Sequence, residues 1–210
     1  MAKYALGCFG LLVLVFIILL VGGCGSYNHL VGLSQDVDSK WAEVQTQYQR
    51  RMDLIPNLVN TVAGAANFEK STLVEITNAR ASVGQVKIDP NSAPSDPQKL
   101  ADYQAAQDRL GGALSRLLVV VERYPDLKAN ANFRDLQSEL EGTENRISVA
   151  RMNFNNSTQS YDTAIKTLPT ALFANAMGFP YKPYFQASEG AEKPPTVNFN
   201  FGGAAPSPAQ

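Results

Sequence analysis

The body of this chain has almost none of the side chains that usually carry chemistry. Its two cysteines, Cys8 and Cys24, both sit in or beside one apolar run near the N-terminus, so no disulfide framework and no thiolate catalysis belongs to the rest. There is a single histidine, His29, directly after that run. One histidine excludes a multi-histidine metal site and any Ser-His-Asp arrangement deep in the body. A di-iron bundle needs a Glu-x-x-His pair on each of two helices, and it fails on the same count. Charge of one sign is also missing: 18 Lys and Arg balance 19 Asp and Glu. Nothing in that balance marks a nucleic-acid partner. The sequence therefore predicts no enzyme, no cofactor and no metal.

Acidic and basic residues are absent from Tyr4 to Gln35. Ala5 to Val21 reads ALGCFGLLVLVFIILLV, and with Gly22, Gly23 and Cys24 the run reaches the ~20 residues that cross a hydrocarbon core as a helix. Two membrane readings stay open. One is a retained single-pass anchor. The other is a lipoprotein signal, with Leu20-Val21-Gly22-Gly23-Cys24 as its cleavage box and Cys24 as the lipidated residue. Either holds the body at a bilayer surface, and the lipoprotein reading places it outside the cytoplasm. Residues 1–25 are accordingly read as anchor or signal, 26–180 as the folded body and 181–210 as a Pro/Gly/Ala-rich tail.

Three body segments carry helical periodicity. The first runs Leu30, Leu33, Val37, Trp41, Val44, Tyr48, Met52, Ile55, Val59, Val62, Ala66, Leu73 and Ile76, its phase continuing through Pro56. A helix kinked or split at Pro56 is expected. The second steps 3-4-3-4 from Leu100 to Tyr124, with Gln107 as its polar exception. Asp96-Pro97 starts it and Tyr124-Pro125 stops it. The third steps from Phe133 to Leu168, capped by Asn130 or Asn132 and ended by Pro169. Within it Thr143, Ala150, Ser157 and Ala164 recur every seven residues, a small-residue side that either admits a partner helix closely or leaves a shallow groove. Gly84 to Ser95 and Pro125 to Ala129 read as loops that join antiparallel neighbours. The expected architecture is an all-α, antiparallel up-and-down bundle of long helices preceded by a membrane segment. Ala171 to Gly178 reads as one short helix capped by Thr170. Thr196 to Phe201 alternates with period two, suiting a partner's sheet edge, packing on its own domain, or disorder.

Two charge clusters are candidate contacts. Arg50-Arg51-Met52-Asp53, with Asn57 one turn on, reads either as a partner-helix or anion contact or as a solvated face flanking Met52. Glu144-Asn145-Arg146 with Arg151 reads the same way, or as pairing between helices that sets register.

The strings Tyr27-Asn28-x-Leu30-Val31, Gln49-Arg50-Arg51-x-Asp53-Leu54-Ile55-Pro56-Asn57-Leu58-Val59, Tyr124-Pro125-Asp126-Leu127-Lys128-Ala129-Asn130 and Leu136-Gln137-x-Glu139-Leu140-Glu141-Gly142-Thr143-Glu144-Asn145-Arg146-Ile147, with Gly178-Phe179 and Tyr184-Phe185, resemble the bacterial LemA family. The likeness covers Tyr27 to Phe185. It implies an anchored helical bundle with no established enzymatic activity. It also implies membrane-associated partners, among them HtpX-like zinc proteases and small envelope proteins with a TPM domain. The Gly22-Gly23-Cys24 box departs from the family's ordinary retained anchor. The functions this implies are a non-enzymatic envelope scaffold or adaptor, or a lipid- or cell-wall-precursor-binding lipoprotein anchored through Cys24. The second predicts a groove lined by Thr143, Ala150 and Ser157. In either case the body is expected outside the cytoplasm, periplasmic if the cell is Gram-negative.

Overall fold

The computed structural model describes the backbone of residues 2–65, 68–172 and 174–187, with side chains from Gly23 onward. Five α-helices follow one another: α1 Ala2–Ala63, α2 Lys70–Gln85, α3 Pro97–Val121, the single turn α4 Pro125–Ala129, and α5 Ala131–Lys166. A 3₁₀ turn at Thr170–Leu172 and an extended stretch to residue 187 close the described chain. No strand occurs among the described residues.

Helix α1 is continuous for 62 residues with Pro56 inside it, about 93 Å at 1.5 Å per residue. The helix runs on through Pro56, as the continuous phase implies, and the alternative of a split there does not occur. The break comes instead after Ala63, at Gly64 and Ala65, so Leu73 and Ile76 belong to α2 rather than to the first stripe. The starts of α3 and α5 obey their capping residues. Asp96 accepts from the Gln98 amide at 2.9 Å with Pro97 at the first helical position, and Asn130 accepts from the Phe133 amide at 3.2 Å. Pro125 to Ala129, expected as a loop, forms the turn of α4, because Pro125 presets its first residue. The short helix expected over Ala171 to Gly178 shrinks to the 3₁₀ turn.

The closest pairings are α1 with α5 and α2 with α3. Both are antiparallel. Across α1 and α5, Arg50 meets Glu139, Arg51 meets Glu144, Tyr48 meets Arg151 and Asp36 meets Ser157, so one chain descends as the other climbs. Arg116 with Glu75 and Arg123 with Glu69 give the same sense for α2 and α3. Helices α1 and α3 run parallel, as Gln45–Tyr103 and Arg51–Gln107 show. The bundle core is one cluster from Leu30 to Phe185, with Trp41, Tyr48, Phe133, Phe154 and Tyr161 its largest fully buried side chains.

The body does not end at residue 180. Lys182 and Phe185 are buried. The Phe185 ring stacks on Trp41, with centroids 6.1 Å apart, and meets Phe154 edge-on at 5.4 Å. The Lys182 ammonium pairs with Asp38 at 2.8 Å, Tyr184 donates to Asp162 at 3.1 Å, and Asn155 bonds the Phe185 backbone through both its amide groups. Gly178, at φ 83°, makes the turn that lays Phe179 edge-on to Tyr27 of α1, 5.5 Å between centroids. The expected tail boundary thus falls too early. Its first residues form a strap across α1 and α5. The alternating Thr196 to Phe201 piece lies outside the described residues, as do the side chains of Ala5 to Val21. Among the described residues no helix is long and apolar enough to cross a membrane.

Candidate functional site

The seam of α1 that faces the bundle reads Val37, Trp41, Val44, Tyr48, Arg51, Ile55, Leu58, Val62. Its steps alternate 4 and 3 without interruption. The sequence reading placed Met52 and Val59 in this stripe. They are only half-buried, and Arg51 and Leu58 take the interior positions. Arg51 is 2% exposed, so it is neither a solvated flank nor a surface contact.

A buried guanidinium needs acceptors. Arg51 reaches the carbonyl oxygen of Gln107 at 3.2 Å and the side-chain oxygen of the same residue, then Glu144 of α5 at 2.8 Å. Gln107, the polar exception in the α3 stripe, is 1% exposed and is thereby explained. The Arg51 Nε and the Gln107 Nε2 are buried with no hydrogen-bond partner. The guanidinium carbon lies 5.3 Å from the centre of the Tyr48 ring.

Arg151 of α5 approaches the same ring, its guanidinium carbon 5.5 Å from the centre. It donates to the Tyr48 hydroxyl at 2.6 Å and to Asp108 of α3 at 3.0 Å. Of the second charge cluster, Glu144 and Arg151 thus pair between helices, while Arg146 bonds within α5 to Thr143. Burial pushes the Tyr48 phenol up to about 12, although the Arg151 and Arg51 cations pull the other way. Tyr103 meets Tyr48 edge-on at 5.5 Å and donates to Gln45 at 3.0 Å. Three helices thus meet in a polar layer of two arginines, two tyrosines and Gln107 within the bundle. A slip of one helix by a residue would take these acceptors away from the two cations.

Arg50, Asp53 and Asn57 are exposed. Their 3- and 4-residue spacing puts them on one outer face of α1. Arg50 pairs with Glu139 at 2.7 Å, and Gln49 donates to Asp53 at 2.7 Å. The four predicted contact residues are therefore divided, three outside and Arg51 inside. Cys24 is exposed on α1. Among the described residues no three histidine, cysteine or acidic side chains converge as a metal site.

The groove expected along Thr143, Ala150 and Ser157 is filled. All three are buried on the close α1–α5 interface, at 0%, 5% and 7% exposure. Ser157 donates to Asp36 of α1, and Thr143 bonds back to the Glu139 carbonyl at 2.7 Å. Small residues here let α1 come near. Ala150 also borders a shallow surface depression with Glu43, Gln47 and Val149. Sequence reasoning did not single out Leu58, Gly111 and Leu118, which with Leu114, Leu140 and Arg51 form an apolar cleft of about 260 Å³.

A model of the LemA family matches residues 40–199, which takes in every helix of the bundle except the first part of α1. The chain belongs to the LemA family. Magnetosome protein MamQ of Magnetospirillum gryphiswaldense is 30% identical, covering 80% of this chain and 67% of its own. Protein LemA of Metamycoplasma hominis is 26% identical, covering 79% and 71%. Magnetosome protein MamQ 2 of Paramagnetospirillum magneticum is 29% identical over the same shares as the first. In this LemA chain, the string Gln49 to Val59 that carries much of the resemblance has two sides. Arg51, Ile55 and Leu58 build the interior, and Arg50, Asp53 and Asn57 build the outer face.

Proposed function

We propose that this LemA protein is a membrane-anchored, non-enzymatic scaffold or adaptor of the cell envelope. The apolar run Ala5 to Val21 holds it at the bilayer, and the bundle stands outside the cytoplasm. The observation that carries the reading is the continuity of α1 from Ala2 to Ala63. One unbroken helix joins the apolar run to the exposed Arg50, Asp53 and Asn57, so a partner docked on that face is held at a fixed height. The partner chemistry is a polar helix face on another membrane-associated protein, with HtpX-like proteases and TPM-domain proteins the candidates that the family suggests. The names of the matched relatives carry no reaction with them.

A photo-crosslinking side chain at Asn57, activated in native membranes, tests this. Discrete adducts with one or two membrane proteins, lost when Arg50 and Asp53 change to alanine, are the expected result. Adducts only to a second copy, or none, overturn it. Exposed Cys24 supports the alternative anchorage through a lipid. The intact mass of the membrane-extracted protein separates the two, since cleavage before Cys24 with a diacylglyceryl addition changes it in a known way.

A further inference from the structure

The buried cation Arg51 has a counter-ion that is not itself buried. The side chain of Glu144 is 56% exposed while that of Arg51 is 3% exposed. A guanidinium presents five N–H donors, and three acceptor contacts are made, with Nε left unpartnered. Glu144 also stands on the lip of the apolar cleft whose walls are Leu58, Leu114, Leu118 and Leu140. Gly111 lines the same cleft beside the guanidinium, and a Cβ there would sit 3.8 Å from Nη1 of Arg51, an ordinary contact. A largely apolar cleft lined by one buried cation, with the acids Glu141 and Glu144 beside it, is the form of a site for a small amphiphile.

We propose that this cleft binds a medium-chain monocarboxylate, its alkyl chain between α3 and α5 and its carboxylate displacing Glu144 from Arg51. In this reading Glu144 is a placeholder carboxylate, free to swing into water because it is already half in it. The cleft, of about 260 Å³, has room for one alkyl chain. The charge on the ligand is set by the lip. Glu141, held by Gln137 at 3.0 Å, stays beside the entrance. A monocarboxylate adds one negative charge beside Glu141 and the released Glu144, and a phosphate dianion adds two, so the lip favours the singly charged headgroup of the pair. The proposal is independent of the scaffold role and uses neither Arg50 nor Asn57.

The test uses the full chain in nanodiscs, with leucine methyl groups carrying ¹³C, titrated with decanoate, decanol, decylamine and decyl phosphate. Empty nanodiscs correct for partition into lipid. Saturable shifts of the Leu114, Leu118 and Leu140 methyls are expected with decanoate, and at least fivefold weaker binding with the other three. Glu144→Gln should tighten decanoate severalfold by removing the competing carboxylate, and Gly111→Leu should abolish binding by filling the cleft. Glu144→Gln keeps a side-chain oxygen as an acceptor for Arg51, and its denaturation midpoint, measured beside the titration, separates lost folding from lost binding. Equal binding of decanol, tighter binding of decylamine or decyl phosphate, or weaker decanoate binding in Glu144→Gln would each overturn the proposal.

Discussion

Arg51 of α1 and Gln107 of α3, 56 positions apart in sequence, occupy facing places in the apolar seam and are joined through both the side chain and the backbone of Gln107. The pair is worth more as a unit than its halves suggest. Gln107→Leu removes an acceptor from a buried cation, and about 1–3 kcal/mol of stability should go with it. Arg51→Met together with Gln107→Leu removes the demand and the supply, and most of the loss should return. Chemical denaturation of the wild type, both single variants and the double variant gives the coupling directly. Simple additivity would show that the polar layer does not act as one.

Trp41 is the only tryptophan, and it is fully buried against Phe154 and Phe185. Its indole donates to the Asp89 carbonyl at 3.0 Å, which also pins the loop between α2 and α3. Phe185→Ala should cost about 3–5 kcal/mol, the usual range for a buried aromatic. It should also shift Trp41 emission to longer wavelength in the folded protein. Emission that stays unchanged would mean the strap does not cover the indole.

The buried tyrosine phenols link folding to alkaline pH. Burial raises Tyr48 to about 12 from an ordinary value near 10. The unfolded chain then gives up this proton first and holds fewer protons between those limits. Stability is therefore full below about pH 10 and falls as pH rises toward 12. Tyr48→Phe removes this contribution to the slope. Denaturation midpoints at a series of alkaline pH values, wild type against variant, check the sign and the window.

Thr158 is completely buried, and its hydroxyl has no hydrogen-bond partner. An unpaired hydroxyl in an apolar interior is a cost, so Thr158→Val should stabilise the bundle by about 1 kcal/mol. A rise in the denaturation midpoint with an unchanged slope is the expected measurement. A fall would point to a partner for that hydroxyl.

The long stripes of α3 and α5 are readable because their 3-4 spacing persists through the polar positions Gln107, Thr143 and Ser157 and their caps are local, Asp96-Pro97 for one and Asn130 for the other. The stripe of α1 differs from its sequence reading by one residue at two places, Met52 and Val59. Neighbouring positions on a helix differ by about 100° in direction, and hydropathy alone favours Met over Arg for the interior. Gln107 and Glu144, on two other helices, make Arg51 acceptable inside. The break after Ala63 was hidden because apolar phase persists past it, and Pro56 looked the stronger signal. The strap from Lys182 to Phe185 has no periodicity of its own. Its partners Asp38, Trp41, Gln104 and Asn155 all lie on distant helices. The apolar cleft was invisible for the same reason, since three helices supply its walls.

Because α1 passes without a joint from Ala2 to Ala63, the number of residues between Cys24 and Leu30 fixes a compass bearing as well as a height. Removing one residue there turns the whole bundle by about 100° about the helix axis while lowering it only ~1.5 Å. On the proposed anchorage, the outer face of Arg50, Asp53 and Asn57 would then look away from a partner fixed in the plane of the bilayer. Adding seven residues brings the bearing back to within ~20° and merely raises the bundle.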